Sequence, residues 1–172
     1  MTRTNSTELP VILDIEASGF GAGSYPIEIG YHRPDGRSYC TLIRPESGWT
    51  HWDASAESIH GITRDLLVEH GRSAAEVCEA LNEALHGLPV YCDGWSHDYV
   101  WLSKMYDAAD RIPAFKLRDM RELLADCEQT LWHATRGAVE LRLQLRRHRA
   151  SGDARVLFET LQEARKRCAP DW

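Results

Sequence analysis

The sequence predicts one α/β domain built around a mixed β-sheet. Three segments with the two-residue alternation of β-strands come first, and helical patterns alternate with shorter strand patterns after them. A strand meander followed by helix–strand alternation is typical of a sheet that is antiparallel at one edge and parallel at the other. The 172 residues suit a single domain over positions 1–172, and we expect its core to span about residues 10–168.

The first three strands are marked by residue type and by one turn. The segment PVILDIEAS (residues 10–18) is rich in β-branched residues after a proline, which is typical of a buried strand. The segments IEIGYH and RSYCTLIR flank a Pro-Asp-Gly turn at residues 34–36. Because Asp-Gly between two alternating segments favours a hairpin, we expect three antiparallel strands in succession.

The helices are predicted from apolar residues that recur every three to four positions. Ser73 and Glu76 have the spacing of a capping box, and a clear amphipathic pattern follows them. The segment LPVYC predicts a fourth strand, after which a helix over residues 96–109 and a short fifth strand near 114–117 are expected. A helix-rich segment over 130–147 and a last amphipathic helix complete the chain.

Composition and charge exclude several classes of protein. Apolar residues make up 43% of the chain and charged residues 27%, as in globular proteins. No apolar segment approaches the roughly 20 residues of a membrane span, and the segment MTRTNSTELP lacks the apolar region of a secretory signal. Five cysteines without a CxxC pair argue against a disulfide framework and a structural zinc site. We therefore expect a soluble, cytoplasmic protein with reduced thiols and no membrane association.

The net charge of −6 limits how the chain can bind nucleic acid. A protein that neutralises many duplex phosphates usually carries a basic surface, so any contact here is expected to be short or metal-dependent. Four arginines of the basic C-terminal third either follow a phosphate backbone or belong to a solvated helix face: Arg142, Arg146, Arg147 and Arg149.

Two carboxylates stand at the end of the first predicted strand. Side chains alternate across a strand, so Asp14 and Glu16 share one face, where repulsion between like charges is costly. A divalent cation would relieve that cost, because hard cations such as Mg²⁺ take oxygen ligands. The alternative is a pair of acids at a solvated strand end.

Three further polar residues are predicted near helix starts. Asp98 falls in the first turn of a predicted helix, where stabilisation by the helix dipole alone would explain a carboxylate, and Asp93 is its rival in the preceding loop. The pair Ser151–Gly152 is expected to break the helical pattern, which places His148 on a loop and Asp153 at the start of the last helix. Both side chains would then converge above the sheet, although a solvated histidine and a first-turn charge would give the same pattern.

In this order, the residues resemble the motifs of the DEDDh family of 3′–5′ exonucleases, whose fold is RNase H-like. The family includes the proofreading subunit of bacterial replicative DNA polymerase, RNase T and oligoribonuclease. The three acidic motifs correspond to DIEASGFG, HDYVWL and HRASGDA, and SIHGIT is similar to the family's substrate-side segment. The resemblance covers roughly residues 10–165. Ala17–Ser18 replaces the Thr-Thr or Thr-Gly common in the family, and Gly94 stands where asparagine is common.

The resemblance implies a five-stranded RNase H-like sheet and metal-dependent phosphodiester hydrolysis. Two Mg²⁺ ions, with Mn²⁺ as a substitute, would be held by four carboxylates, those of Asp14, Glu16, Asp98 and Asp153. His148 would accept the proton of the attacking water, since histidine ordinarily has a pKa of about 6.5. The expected substrate is the 3′ end of single-stranded DNA or RNA, and the expected products are 5′-mononucleotides.

The resemblance also implies a pocket for the terminal nucleotide. The backbone around Ala17 and Ser18 would line it. Phe20 would act as an apolar wedge between the last two bases, and stacking on an aromatic ring is worth about 1–3 kcal/mol. His60 and Ile62 would close the pocket from the other side. The alternative for Phe20 is a core residue after a turn.

Three tryptophans and the function of the fold each allow more than one interpretation. Trp49 and Trp52 either stack on nucleic acid or anchor the loop that carries them, and the role of Trp95 is open. The same fold could instead serve as a non-catalytic module that binds nucleic acid or a polymerase, or as an endonuclease. No segment after Trp172 suggests a polymerase-binding tail, so we expect a stand-alone enzyme, for which a homodimer is possible.

Overall fold

The computed structural model describes residues 9–169, in which five strands form one mixed sheet of order β3–β2–β1–β4–β5. The strands are β1 (Val11–Ala17), β2 (Pro26–His32), β3 (Ser38–Leu42), β4 (Pro89–Cys92) and β5 (Lys116–Asp119). The first three pair antiparallel, whereas β4 runs parallel to both β1 and β5. This confirms the predicted sheet of three antiparallel strands followed by parallel ones.

Six α-helices and one 3₁₀ helix flank the sheet within the described range. They are α1 (Ala54–His60), α2 (Arg64–His70), α3 (Ala74–Leu85), α4 (Trp95–Ala108), a 3₁₀ helix (Met120–Leu123), α5 (Asp126–Leu143) and α6 (Ala150–Cys168). Helices α1 and α2 were not predicted; the side chains of Asp53 and Thr63 cap them. No helix between residues 9 and 169 has the length and hydropathy of a membrane span.

Each face of the sheet packs against its own apolar cluster. Leu13 and Ile15 of β1 point to a core shared with α3 and α4. Ile12, on the opposite face, packs with Leu157 and Phe158 of α6. The side chains of Asp14 and Glu16 share the α6 face because they alternate in phase with Ile12. The acids of β1 therefore face the helix that carries Asp153.

Helix α6 approaches the sheet most closely at Gly30 of β2. A Cβ atom at this position would collide with the backbone nitrogen of Ser151 and would lie 2.8 Å from the carbonyl carbon of Ala150. Gly30 is the register partner of Asp14 in the β1–β2 ladder. The missing side chain thus lets the first turn of α6 lie directly beside the acidic end of β1.

Helices α5 and α6 form an antiparallel pair. A disulfide between Cys127 and Cys168 joins the N-terminal end of α5 to the C-terminal end of α6. The expectation of a chain without disulfides is wrong for this pair. The two cysteines are 41 residues apart in sequence, and only the packing of one helix along the other brings them together. Cys40, Cys78 and Cys92 are free thiols.

Candidate active site

The candidate active site lies at the carboxyl ends of the parallel strands β1 and β4. Asp14 and Glu16 lie in the second half of β1, Asp98 is in the first turn of α4, and Asp153 is in the first turn of α6. His148 lies in the loop between α5 and α6, which we call the active-site loop (residues 144–149). The five residues occupy the kinds of element that the sequence predicted for them, but the expected helix break at Ser151–Gly152 is wrong: both residues lie within α6, and the break falls at residues 144–149.

Three of the predicted residues form a tight cluster. One potential ligand atom each from Glu16, His148 and Asp153 lies within 4.8 Å of the others. Asp14 and Asp98 lie outside this cluster, although their charges are close enough to act on each other electrostatically. A histidine nitrogen among carboxylate oxygens can accept a proton or complete a metal site.

The carboxylates of the site are difficult to ionise together. Burial raises the pKa of Asp14 well above its ordinary value, and the charges of Asp98 and Glu16 raise it further. Burial, followed by the charge of Asp153, raises the pKa of Glu16 to about 7. Burial also raises the pKa of Asp98 to about 7 and that of Asp153 above its usual range. The nearby charges of Arg149 and Arg136 lower the pKa values of Glu16 and Asp153, respectively, but they do not offset the effect of burial.

Asp98 gives an independent indication of what the site can hold. The residue is 3% exposed, and its Oδ2 atom is buried without a hydrogen-bond partner among residues 9–169. A Cβ at Gly94 would lie 3.3 Å from that oxygen, so the glycine leaves room around it. A buried unpaired oxygen among other carboxylates fits Mg²⁺ or Mn²⁺, which prefer oxygen ligands. The rival Asp93 instead forms an ion pair with Arg136 at 2.9 Å.

The predicted nucleotide pocket begins in the loop after β1. Ala17 and Ser18 are buried, and Ser18 Oγ accepts a hydrogen bond from Tyr25 N at 3.1 Å and lies 3.1 Å from His51 Nδ1. Phe20 is 69% exposed, so the alternative of a core residue is wrong. Its ring makes an edge contact with His97, with the ring centres 5.1 Å apart. An exposed aromatic ring is therefore available beside α4.

The other predicted side of the pocket is buried. Ile62 N donates a hydrogen bond to His60 Nδ1 at 3.0 Å, which leaves the proton of the neutral ring on Nε2. This buried atom has no hydrogen-bond partner in the part of the chain that the structure describes. Burial lowers the pKa of His60, so the neutral ring is favoured. A Cβ on Gly61 would lie 2.7 Å from a guanidinium nitrogen of Arg146, so this segment lies against the active-site loop. Contact of His60 and Ile62 with a nucleotide stays a prediction.

The arginines of the C-terminal third divide into two groups. Arg142 pairs with Glu159 at 3.2 Å, and Arg149 pairs with Glu28. Arg146 and Arg147 are exposed. The first two serve internal contacts, which leaves Arg146 and Arg147 as candidates for a phosphate backbone.

The tryptophans also separate by environment. Trp49 is buried and stacks on Tyr25, and Trp52 Nε1 donates to Glu57 at 2.6 Å. These contacts favour loop anchoring over base stacking. Trp95 is exposed at the start of α4 and stacks on Tyr99, with the ring centres 5.3 Å apart.

Glu28 is a further residue of this region, and the sequence pattern did not indicate it. It is the register partner of Glu16 on β2 and is fully buried. Its carboxylate accepts hydrogen bonds from Arg149 Nε at 2.9 Å and from Ala150 N at 2.8 Å. The available signal was one acid inside the strand segment PIEIGYH, but its partners lie more than 120 residues away in sequence.

The sheet order and the helices on both faces define the RNase H-like fold that the sequence predicted. Solved structures with this fold include exonuclease I of Methylocaldum szegediense, at 16% identity and a TM-score of 0.66. They also include two structures of E. coli exonuclease I, each at 12% identity. The zinc-bound form with ssDNA has a TM-score of 0.68, and the complex with a dA16 oligonucleotide has a TM-score of 0.67.

These likenesses concern one part of longer proteins. Each comparison covers 94% of this chain, which spans only 41% or 42% of the solved exonuclease chains. No family model and no curated protein sequence matches the chain. At these identities the comparisons confirm the predicted fold, and the activity has to be argued from the site.

Proposed function

We propose that this chain is a metal-dependent 3′–5′ exonuclease that releases 5′-mononucleotides from the 3′ ends of single-stranded nucleic acid. The observation that carries the proposal is the convergence of Glu16, His148 and Asp153 within 4.8 Å at the end of β1. Asp14 and Asp98 add two carboxylates of raised pKa beside this cluster. The exonuclease fold makes phosphodiester hydrolysis the reaction that suits such a set.

The chemistry of the donors supports a pair of divalent ions. The ligands would be Asp14, Glu16, Asp98 and Asp153, and the ions would be Mg²⁺ or Mn²⁺. Ions bound there supply positive charge to a phosphate group and lower the pKa of a bound water. The ionised carboxylates repel one another in a partly buried site, so they gain more from a counter-charge than solvated acids would.

His148 is the candidate for proton transfer. Its ring reaches the carboxylates of Glu16 and Asp153 from a loop and not from a helix. A neutral imidazole can take a proton from the attacking water, and the adjacent carboxylates stabilise the imidazolium that forms. In this assignment His148 is the general base and Asp153 both holds metal and faces the charged ring.

The surface around the site favours an unpaired substrate end. Phe20 offers an exposed ring on which a terminal base can stack, and a wedge between the last two bases is accommodated more easily where the terminal base is unpaired. The net charge of −6 gives little attraction for the two backbones of a duplex. Two of the E. coli structures carry ssDNA or a dA16 oligonucleotide, which agrees with a single-stranded substrate.

A digest of labelled oligonucleotides by the full chain tests the proposal. With Mg²⁺ or Mn²⁺, a 5′-labelled single strand should shorten stepwise from its 3′ end and release 5′-mononucleotides. EDTA should stop the reaction, and a blunt duplex should react more slowly. Metal-independent cleavage, or cuts in a circular single strand, would contradict it. Matched DNA, RNA and dinucleotide substrates would then identify the preferred sugar and length.

Two isosteric variants separate the assigned ligand from its rival. Asp98→Asn should abolish metal-dependent cleavage because it removes a ligand charge. Asp93→Asn makes the same chemical change five residues earlier, at an ion pair with Arg136, and should retain most of the activity. Equal loss in both variants would contradict the assignment of Asp98. Binding of the oligonucleotide without any cleavage would favour the non-catalytic module.

A further inference from the structure

We propose that Glu28 and Arg149 form a positioning pair that holds His148 and Asp153 against the acidic end of β1. The proposal rests on the proposed function and names two residues through which the site is assembled. Neither of them is a metal ligand or a proton-transfer group in that function. Their contacts join the start of α6 to the strand beside the ligands.

Glu28 acts as an external cap for α6. The N-cap residue of this helix is Arg149, whose own side chain makes no capping hydrogen bond. Glu28 instead accepts from Ala150 N at 2.8 Å and from Arg149 Nε at 2.9 and 3.1 Å. A carboxylate at a helix N-terminus accepts a hydrogen bond from a backbone N–H that has no partner within the helix. Its negative charge also interacts favourably with the positive end of the helix dipole. Since both carboxylate oxygens are engaged, Glu28 is not offered to a metal ion.

Arg149 lies between His148 and Asp153 in the sequence. Arg149 follows His148 directly, and Asp153 N donates to Arg149 O at 3.0 Å in the first turn of α6. His148 has a φ of 57°, in the left-handed region that residues other than glycine adopt at a cost of about 1–2 kcal/mol. Such a conformation persists where neighbouring contacts hold the backbone in place. The ion pair of the adjacent Arg149 with Glu28 is one such contact.

The pairing of β1 with β2 places the start of α6 beside the proposed metal ligands Asp14 and Glu16. Glu28 lies opposite Glu16, and Gly30 lies opposite Asp14. Opposed residues of an antiparallel pair share one face of the sheet. The first turn of α6 touches β2 at both positions, through the carboxylate of Glu28 and through close packing on Gly30. These two contacts therefore fix the position of the first turn of α6 relative to Asp14 and Glu16 of β1.

The test compares wild type, Glu28→Gln, Arg149→Met and the double variant. Mn²⁺ affinity is measured by calorimetry, and kcat and KM are measured on a single-stranded oligonucleotide at a temperature where every variant is folded. Changes to the supporting residues of metal sites typically cost about 10–100-fold in affinity or activity. We expect a loss of that size in kcat or in Mn²⁺ affinity, with KM for the oligonucleotide changed by less than about twofold.

Two features separate positioning from plain stabilisation. The double variant should lose no more than the worse single variant, because both changes break the same ion pair. Glu159→Gln is the matched control: it removes one acid from the pair of Arg142 and Glu159, which links α5 and α6 away from the site. This control should keep wild-type kcat and Mn²⁺ affinity.

The outcomes are distinct. A Glu28→Gln protein with a lower melting midpoint but wild-type kcat and Mn²⁺ affinity would overturn the positioning role. If Glu28→Gln fails to fold, Arg149→Met, which alters a partly exposed side chain, decides the question by the same readouts. A wild-type protein that binds Mn²⁺ and cleaves nothing would overturn the proposed function, while Mn²⁺ affinity would still test the pair.

Discussion

Replacing Glu16 with glutamine should make the metal-free protein more stable at pH 8. Burial and the charge of Asp153 raise the pKa of this carboxyl from 4.5 to about 7. Each tenfold change in proton affinity is worth about 1.4 kcal/mol, so the ionised side chain costs the folded state about 3 kcal/mol. Glutamine has nearly the same shape and carries no charge, and the variant should recover most of this free energy.

The stability gained by Glu16→Gln should increase as the pH rises. Below the unfolded pKa, Glu16 is protonated in both states and costs nothing. As pH rises towards 7, the unfolded chain releases the proton first, and stability is lost until the folded carboxyl has also ionised. The difference between variant and wild type should be under about 1 kcal/mol at pH 5 and about 3 kcal/mol at pH 8.

Melting curves in EDTA at the two pH values measure this effect. For a chain of this size, about 3 kcal/mol corresponds to a midpoint roughly 6–12 °C higher. Excess Mg²⁺ should raise the wild-type midpoint and leave that of Glu16→Gln unchanged, because a ligand that binds only the native state stabilises it. Glu79→Gln, an exposed acid paired with Arg111, is the control and should stay within about 0.5 kcal/mol. A Glu16→Gln protein no more stable than wild type at pH 8 would refute the reasoning.

Three further predictions concern single residues. His148→Ala should lower kcat about 10²–10⁴-fold while calorimetry finds Mn²⁺ affinity nearly intact; near wild-type turnover would make the histidine a solvated loop residue. Phe20→Ala should raise KM for oligonucleotides about 5- to 150-fold, the equivalent of one lost stacking contact, and should leave the melting midpoint unchanged because the ring is exposed. Gly30→Ala should lower the free energy of unfolding by about 1–3 kcal/mol or more in urea titrations, because its Cβ would collide with the backbone of α6. Wild-type stability in the Gly30→Ala protein would show that α6 can shift freely.

Features encoded by neighbouring residues were predictable from the sequence. The capping box of α3 forms as predicted, with Ser73 N donating to Glu76 at 2.9 Å. The hairpin around the Pro-Asp-Gly turn joins β2 to β3. Asp98 also lies in the first turn of its helix. In each case the partners are within a few residues of one another, so local propensity determines the result.

Features that depend on distant partners were not predictable. The carboxylate of Glu28 meets Arg149 only because α6 crosses β2, and a lone acid in a strand does not indicate such a partner. Helices α1 and α2 have seven residues each, too few for a periodic pattern to stand out. The exposure of Phe20 likewise depends on where its loop lies against α4. Tertiary packing decides all of these.

The disulfide between Cys127 and Cys168 makes the chain between them a covalent ring that contains the active-site loop. A protease cut within that loop would open the ring without separating the pieces, which would part only after reduction. Closing a loop with the observed separation of 41 residues lowers the entropy of the unfolded chain by the equivalent of about 4 kcal/mol. The thiol–disulfide balance of the surroundings would thus set how firmly the segment carrying His148 and Asp153 is retained in the fold.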